Sequence, residues 1–302
     1  MPPGPDGAPV DDLDAVMAER RRLIALAYRL LGTVAEAEDA VQETYLRWYR
    51  LPAEERAAIE NPQAWLTRVA SRVCLDVLKS ARSRREEYVG EWLPEPVPAG
   101  HLVASVATDP ADRVTLDDTV STALLVVLDA MTPAERVAFV LHDVFAVPFP
   151  EIADVVGRSP AAVRQLATSA RRRVAEQREG VVRPAEHDAV VRAFVAAASG
   201  GDLDALARLL DPSVTLRSDG GGLTRAALNP VLTADKVARF LVGVLKKNPR
   251  LRPAEKETAD GLGFALLDGD RVHAVANLRV AGGLVTDVWL VLHPGKLSGW
   301  RG

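Results

Sequence analysis

Residues 149–173 read FPEIADVVGRSPAAVRQLATSARRR. Pro150 sits at the start of one short helical run, and Gly157 breaks it by supplying a left-handed turn. Ser159-Pro160 then opens a second run, with a cap residue followed by proline at the first helical position. Val163, Leu166, Ala170 and Val174 recur on one face of that second helix. Two short helices across a glycine turn form a helix–turn–helix. The outer face of the second helix then carries Ser159, Ala161, Ala162, Arg164, Gln165 and Thr168, small or polar groups at the end that enters a major groove. Arginine pairs with guanine there and glutamine with adenine. Arg171, Arg172 and Arg173 lie further along and suit phosphates. The plain alternative is a helical hairpin with a basic end.

Upstream of this stretch, Thr132-Pro133-Ala134-Glu135 is a capping box that opens another helix, within a helical segment over 116–178. Residues 88–115 hold Pro94, Pro96, Pro98, Gly100 and Pro110 and read as a linker. Residues 12–87 are helical again. Leu23, Leu26, Ala27, Leu30 and Leu31 repeat at helical spacing until Gly32. Thr33-Val34-Ala35-Glu36 caps a helix with Ala37, Val41, Tyr45 and Trp48 on one face. Asn61-Pro62 opens a third, with Trp65, Val69, Val73 and Val77 on one side. The leading segment Met1–Pro9 has no apolar signal core and reads as a loose tail.

Downstream the pattern changes. Residues 182–302 give helices near 187–199 and 203–210, a short strand at 214–216, and a helix capped by Thr233. Strand-like runs follow at 263–267, 272–280 and 284–292. Asp268-Gly269-Asp270 and Ala281-Gly282-Gly283 separate these runs as hairpin turns. This is a small α+β domain.

Charge is uneven. The chain carries 37 Lys and Arg against 41 Asp and Glu, net −4, the wrong sign for binding nucleic acid by bulk charge. Local patches reverse that. Residues 65–85 hold six bases and one acid, and residues 155–175 hold five bases and no acid. Residues 86–118 hold eight acids and one base, so an acidic connector joins two basic surfaces and can compete with DNA for them. In the first basic segment Arg68, Arg72, Lys79, Arg82, Arg84 and Arg85 are placed for phosphate contact. Asp39, Gln42 and Glu43 form an acidic polar face beside Trp48, which suits a basic protein partner; the bland reading is a solvated helix face. The single cysteine, Cys74, excludes an intrachain disulfide and points to a reducing, cytoplasmic setting. No apolar run approaches the ~20 residues that span a bilayer.

Together these segments resemble RNA polymerase sigma factors of the extracytoplasmic-function class. Asp39-Ala40-Val41-Gln42-Glu43-Thr44 is similar to the region-two motif that docks on the β′ clamp. Asn61 to Arg85 is similar to the minus-ten segment, and Thr132 to Arg173 to region four, which reads the minus-thirty-five element. The rest resembles a subgroup with a SnoaL-like, cone-shaped α+β domain fused after region four. Its linker motif stands here as Trp92-Leu93-Pro94-Glu95-Pro96, and its Asp-Gly-Gly-Gly motif as Asp219-Gly220-Gly221-Gly222. A late motif is altered to His293-Pro294-Gly295-Lys296-Leu297. Leu223 stands where the subgroup has Lys, and Arg72 where many family members have Asn. The resemblance implies a multidomain protein: a region-two helical bundle (12–87), an acidic linker (88–115), a region-four helix–turn–helix (116–178) and the α+β domain (182–302).

The same resemblance implies core RNA polymerase (β′ and β subunits) and promoter DNA as partners, with no cofactor, metal or membrane. It implies a monomer when free and leaves room for a small-molecule ligand of the C-terminal domain. Trp92 and Leu93 are large apolar residues in a Pro-rich connector, and such residues rarely stay exposed without a partner. Asp219-Gly220-Gly221-Gly222 is a flexible loop that another segment can approach closely. Trp92, Leu93 and Pro94 are therefore expected to pack against that loop and regulate the factor. The bland alternative is a disordered spacer with Trp92 in the region-two core. Two rivals use the same residues. One is a helix–turn–helix regulator with a ligand-sensing C-terminal domain. The other is a polyketide-cyclase-like enzyme, for which Asp219, His273 and Asp287 are the acid–base candidates. None of these three forms a closely spaced pair, and His273 alternates with apolar neighbours, as a core histidine does.

Overall fold

In the computed structural model the described residues are 19–86, 88–100, 121–178, 180 and 182–300. The helical half opens with α1 (Arg20–Leu31), α2 (Val34–Arg50), the short α3 (Ala53–Ala57) and the long α4 (Pro62–Glu86). Its breaks are the ones the residue types dictate. Gly32 ends α1 at φ 87°, and the Thr33 hydroxyl accepts from the Glu36 amide to start α2. Asn61 Oδ1 accepts from the Ala64 amide at the start of α4. After the linker come α5 (Thr122–Asp129), α6 (Pro133–Phe139, continued by a π-helical turn over Val140–Val144), α7 (Phe149–Val156) and α8 (Pro160–Arg178). Thr132 and Glu135 form the reciprocal capping box of α6.

The C-terminal domain contains α9 (Pro184–Gly200), α10 (Leu203–Leu209), β1 (Leu210–Asp219), β2 (Val231–Leu232), α11 (Ala234–Lys247), β3 (Leu251–Thr258), β4 (Gly261–Asp268), β5 (Arg271–Ala281) and β6 (Leu284–Val291). A 3₁₀ turn, Pro294–Leu297, follows. The six strands lie in the order β2-β1-β6-β5-β4-β3, with β1 and β6 parallel and every other pair antiparallel. The strand foreseen at 214–216 is the middle of the longer β1. The edge strand β3 was not foreseen: its sequence LRPAEKET is polar and contains proline, as edge positions allow. Thr233 precedes α11 at φ 77° but its side chain makes no cap bond, so it is not the cap that the sequence suggested.

Both faces of the sheet are covered. One face, with Phe264, Leu266, Ala274, Ala276 and Leu290, packs under α9 and α11. Ala265, Val275, Trp289 and Val291 point the other way and pack with Leu93 of the linker, Ala123 and Val126 of α5, and Leu297 and Trp300. Burial on two sides explains why Phe264–Leu267 of β4 and Ala274–Ala276 of β5 are apolar at successive positions instead of alternating.

The two helical parts share one core. Buried residues from Leu23 to Leu78 and from Leu124 to Val174 form a contiguous cluster. Arg136 of α6 is 1% exposed and donates to the Arg29 carbonyl of α1 while pairing with Asp129 at 3.2 Å. Burial lowers its pKa to about 10. Arg22 and Arg29 both lie over the Phe145 ring. The linker is not a spacer where it is described: Leu93 to Val97 are all buried.

Candidate nucleic-acid interface and interdomain clasp

Helix α8 is held by Val163, Ala167, Ala170 and Val174, all buried. Its entry is fixed by Gly157 at φ 71° and by Ser159 Oγ, which accepts from the Ala162 amide. Packing one face leaves Ser159, Ala161, Arg164, Gln165, Thr168, Arg171, Arg172 and Arg173 exposed together. The guanidinium of Arg164 lies 5.5 Å over the ring of Phe149, which itself stacks on His142 at 3.8 Å. His142 Nδ1 lies 3.1 Å from the Val147 carbonyl, so the stack is tied to the turn before α7. Arg171 and Arg173 are partnered, with Asp143 at 2.5 Å and Glu135 at 3.9 Å.

The basic face of α4 exposes Arg68, Arg72 and Lys79. Lys79 is 3.7 Å from Asp76. Arg72 donates to the Asp154 carbonyl of α7 at 3.0 Å, so this face touches the helix that supports α8. The side chains of Arg82, Arg84 and Arg85 lie outside the described residues.

On α2, Asp39 and Gln42 are exposed, and Glu43 is half-buried and paired with Arg47 at 2.8 Å. Trp48 does not belong to this face. It is 1% exposed and meets Trp65 edge-on at 5.1 Å, a core contact that sets it apart from the expected binding face of Asp39, Gln42 and Glu43. The aromatic and apolar side chains on this face are Leu46 and Tyr49, 43% and 42% exposed. Helical periodicity already sets Trp48 with Ala37, Val41 and Tyr45 on the buried side and Tyr49 away from it. Leu46 and Tyr49 border a cleft of about 400 Å³ with Arg20, Glu38 and Tyr45.

The third site joins linker and C-terminal domain. Asp219, at the end of β1, is fully buried. Its Oδ1 accepts from Tyr88 Oη at 2.6 Å and the Gly221 amide at 3.0 Å. Its Oδ2 accepts from the Leu93 amide at 2.9 Å and Lys296 Nζ at 2.7 Å. Lys296 also donates to the Leu93 carbonyl and lies 4.2 Å over the Trp92 ring. A buried ion pair with both partners this fully bonded is tolerable; either one alone is not. The glycines are constrained rather than loose. A Cβ on Gly220 would lie 2.1 Å from the Thr224 carbonyl oxygen, and one on Gly221 2.0 Å from His293. A Cβ on Gly222 would lie 3.2 Å from Val89. On its other side Trp92 rests against Gly32 of the helical half, where a Cβ would stand 2.6 Å from the ring. The Glu95 amide donates to the Gly32 carbonyl, Glu95 Oε2 accepts from the Val34 amide, and Tyr28 Oη donates to the Glu95 carbonyl. Burial raises the Glu95 pKa. Pro94 is buried, and Trp300 Nε1 donates to the Pro96 carbonyl. Lys296 lies within the altered late motif, but nothing in that motif marks its partner, Asp219, which is 77 residues away.

The acid–base candidates are not assembled. Asp219 is saturated by the bonds above. Asp287 is 3.6 Å from Arg279 and also bonded to Thr286. His273 is not the core histidine that its neighbours suggested: it is half-buried and borders an open cleft of about 870 Å³ with Asp268, Asp270, Arg271 and Trp300. Between sheet and helices, Phe194, Leu241, Phe264 and Leu290 leave only about 20 Å³.

The family model for Sigma-70 region 2 matches residues 15–84, and that for Sigma-70, region 4 matches residues 121–174. The chain is 43% identical to the ECF RNA polymerase sigma factor SigJ of Mycobacterium tuberculosis, over 93% of this chain and 92% of that one. It is 46% identical to the probable ECF RNA polymerase sigma factor SigI of the same species, over 65% of this chain and 66% of that one. The crystal structure of Mycobacterium tuberculosis SigJ superposes with a TM-score of 0.73 at 39% identity, covering 96% of this chain and 98% of that one. Among the described residues no helix is long and apolar enough to cross a membrane. The chain belongs to the extracytoplasmic-function RNA polymerase sigma factors.

Proposed function

We propose that this sigma factor, which binds core RNA polymerase and promoter DNA, is held closed by its own C-terminal domain through the linker. In this reading Asp39, Gln42 and Glu43, with Leu46 and Tyr49 beside them, dock on the β′ subunit. Helix α4 meets the minus-ten element through Arg68, Arg72 and Lys79. Helix α8 meets the minus-thirty-five element, Arg164 and Gln165 at base edges and Arg172 at phosphate. The C-terminal domain is a regulator and not an enzyme, since its acid–base candidates are scattered or saturated. A small ligand in the cleft beside His273 is compatible with that role.

The observation that carries the closed-state reading is the bond from Arg72 to the Asp154 carbonyl, within a core common to both helical parts. The two promoter elements are centred about 25 base pairs apart, roughly 85 Å along B-DNA at about 3.4 Å per base pair. Helices in contact cannot reach both elements, so α4 and α7 must separate for promoter binding. The clasp at Asp219 fixes the linker that would have to pay out. Transcription in vitro with core polymerase tests this: Trp92→Ala loosens the linker and raises promoter-dependent transcription, while circular dichroism stays that of the folded chain. Unchanged transcription from a folded Trp92→Ala protein would count against it.

A further inference from the structure

A second contact joins the C-terminal domain to the helical half, away from Asp219. Residues 97–99 of the linker run antiparallel to the end of β3. The Ala259 amide donates to the Val97 carbonyl and the Ala99 amide to the Glu257 carbonyl, with a bridge between Pro98 and Thr258. The turn after β3 then presents Asp260. Its Oδ1 accepts from the Thr122 amide at 2.6 Å, at the start of α5. Asn277 Nδ2 of β5 donates to the Thr122 hydroxyl at 2.6 Å. Two oxygens at this junction, Asp260 Oδ2 and Asn277 Oδ1, are buried without a hydrogen-bond partner. As whole residues Ala259 and Asp260 are half-buried, but the Asp260 Oδ2 oxygen is out of reach of solvent. A buried carboxylate with an unbonded oxygen is costly while charged and far less so once protonated.

We infer that Asp260 anchors a second interface, in which the C-terminal domain grips the first helix of region four and the grip tightens when the carboxylate takes up a proton. The inference deepens the closed-state reading and rests on it. It concerns region four, whereas the Asp219 clasp holds the linker.

The surroundings of Asp260 set the sign. His187 of α9 favours its charged form, as do the bonds to Thr122, but burial outweighs both and pushes the carboxyl from the ordinary 3.8 to about 6. His187 is itself held by the Leu278 carbonyl and Asp188. From α1, Tyr28 faces the same junction; its hydroxyl is raised first by burial and then by Asp260 and Glu95, against Arg29 and Arg136. A docked carboxyl that keeps its proton up to about pH 6, against 3.8 when undocked, makes docking strongest below about pH 4. Docking then weakens by about tenfold per pH unit up to about pH 6 and is level above it. At neutral pH the grip is therefore at its weakest, which suits a contact that polymerase must displace.

The test is amide exchange of Thr122 in the full chain, read by NMR at pH 4.5 and 6.5 and corrected for intrinsic rates. Wild-type protection should be about tenfold or more greater at the lower pH. Asp260→Asn keeps an acceptor without the charge, so its protection should be high and equal at both pH values. Asp260→Ala should be unprotected at both; if it does not fold, the comparison of wild type with Asp260→Asn still decides. A pH-independent wild type, or an Asp260→Asn protein that follows the wild-type pH dependence, overturns the inference. The Leu93 amide is the internal control. Loss of its protection would indict the Asp219 clasp and the closed-state reading, whatever Thr122 does.

Discussion

The exposed basic surface of α8, proposed to meet DNA, and the clasp at Asp219 both use charged residues, and they use them in opposite ways. On α8, Arg164, Arg171, Arg172 and Arg173 stand in solvent, and the contacts they make are single ion pairs or a ring face. At the clasp, Asp219 and Lys296 are buried and each makes several bonds. A surface meant for an external partner keeps its cations hydrated and exchangeable, and its ion pairs are worth little within the chain. A junction meant to hold itself must satisfy every group it removes from water. The contrast separates residues proposed to act on DNA from residues that bond to the rest of the chain.

The largest effect should come from breaking the clasp. Asp219→Ala strands Lys296 and the Leu93 amide in a dry site and should cost the closed arrangement about 3–5 kcal/mol. The check is hydrogen exchange over residues 91–97, which should lose protection while the buried helices of the Leu23–Val174 core keep theirs. If protection there is unchanged, the ion pair is not what holds the linker.

How much of this was readable in advance depends on how local the cause is. The helix–turn–helix was legible because Gly157, Ser159 and Pro160 act on their own backbone, and the same holds for Gly32 and for the Thr132–Glu135 box. Strand β3 was not, because a strand at the edge of the sheet, with Pro253 in it, has no alternating apolar signature. Trp48 joined the acidic face only by standing next to the Asp39–Thr44 motif in sequence. Its helical spacing with Ala37, Val41 and Tyr45 already pointed to the core, where it packs on Trp65. Proline content marked residues 88–100 as a connector, whereas burial of Leu93 to Val97 is decided by partners in two distant segments. The tie between the linker and the Asp219 loop was legible in Trp92 and Leu93, large apolar residues in a Pro-rich connector, and in the small glycines facing them. No pattern in the residues specified Lys296 as the counterion of Asp219.

Smaller effects belong to the exposed side of the comparison. Arg164→Ala should cost about 1–3 kcal/mol of promoter affinity and relax preference at one or two base pairs. Phe149→Leu removes the ring under Arg164 and should relax the same positions by about 0.5–1 kcal/mol. A promoter library would show both; uniform loss across all sequences in either variant would mean that Arg164 touches only phosphate. Arg172→Ala should lower affinity evenly and reduce the salt slope by about 1, measured by titrating binding against salt. A changed base preference in that variant would reverse the roles given to Arg164 and Arg172.

The central claim is that the helical halves touch in the free chain and part on the promoter. Cys74 is fully buried and burial pushes its thiol up to about 12, so cysteines introduced at the exposed positions Ser80 and Arg158 can be labelled selectively. The distance between those two labels, measured by pulsed electron spin resonance, should be short and narrowly distributed in the free chain. With core polymerase on promoter DNA it should lengthen by tens of ångströms, on the order set by the roughly 85 Å between promoter elements. A distance unchanged in a transcriptionally competent complex, or already long in the free chain, would contradict the account.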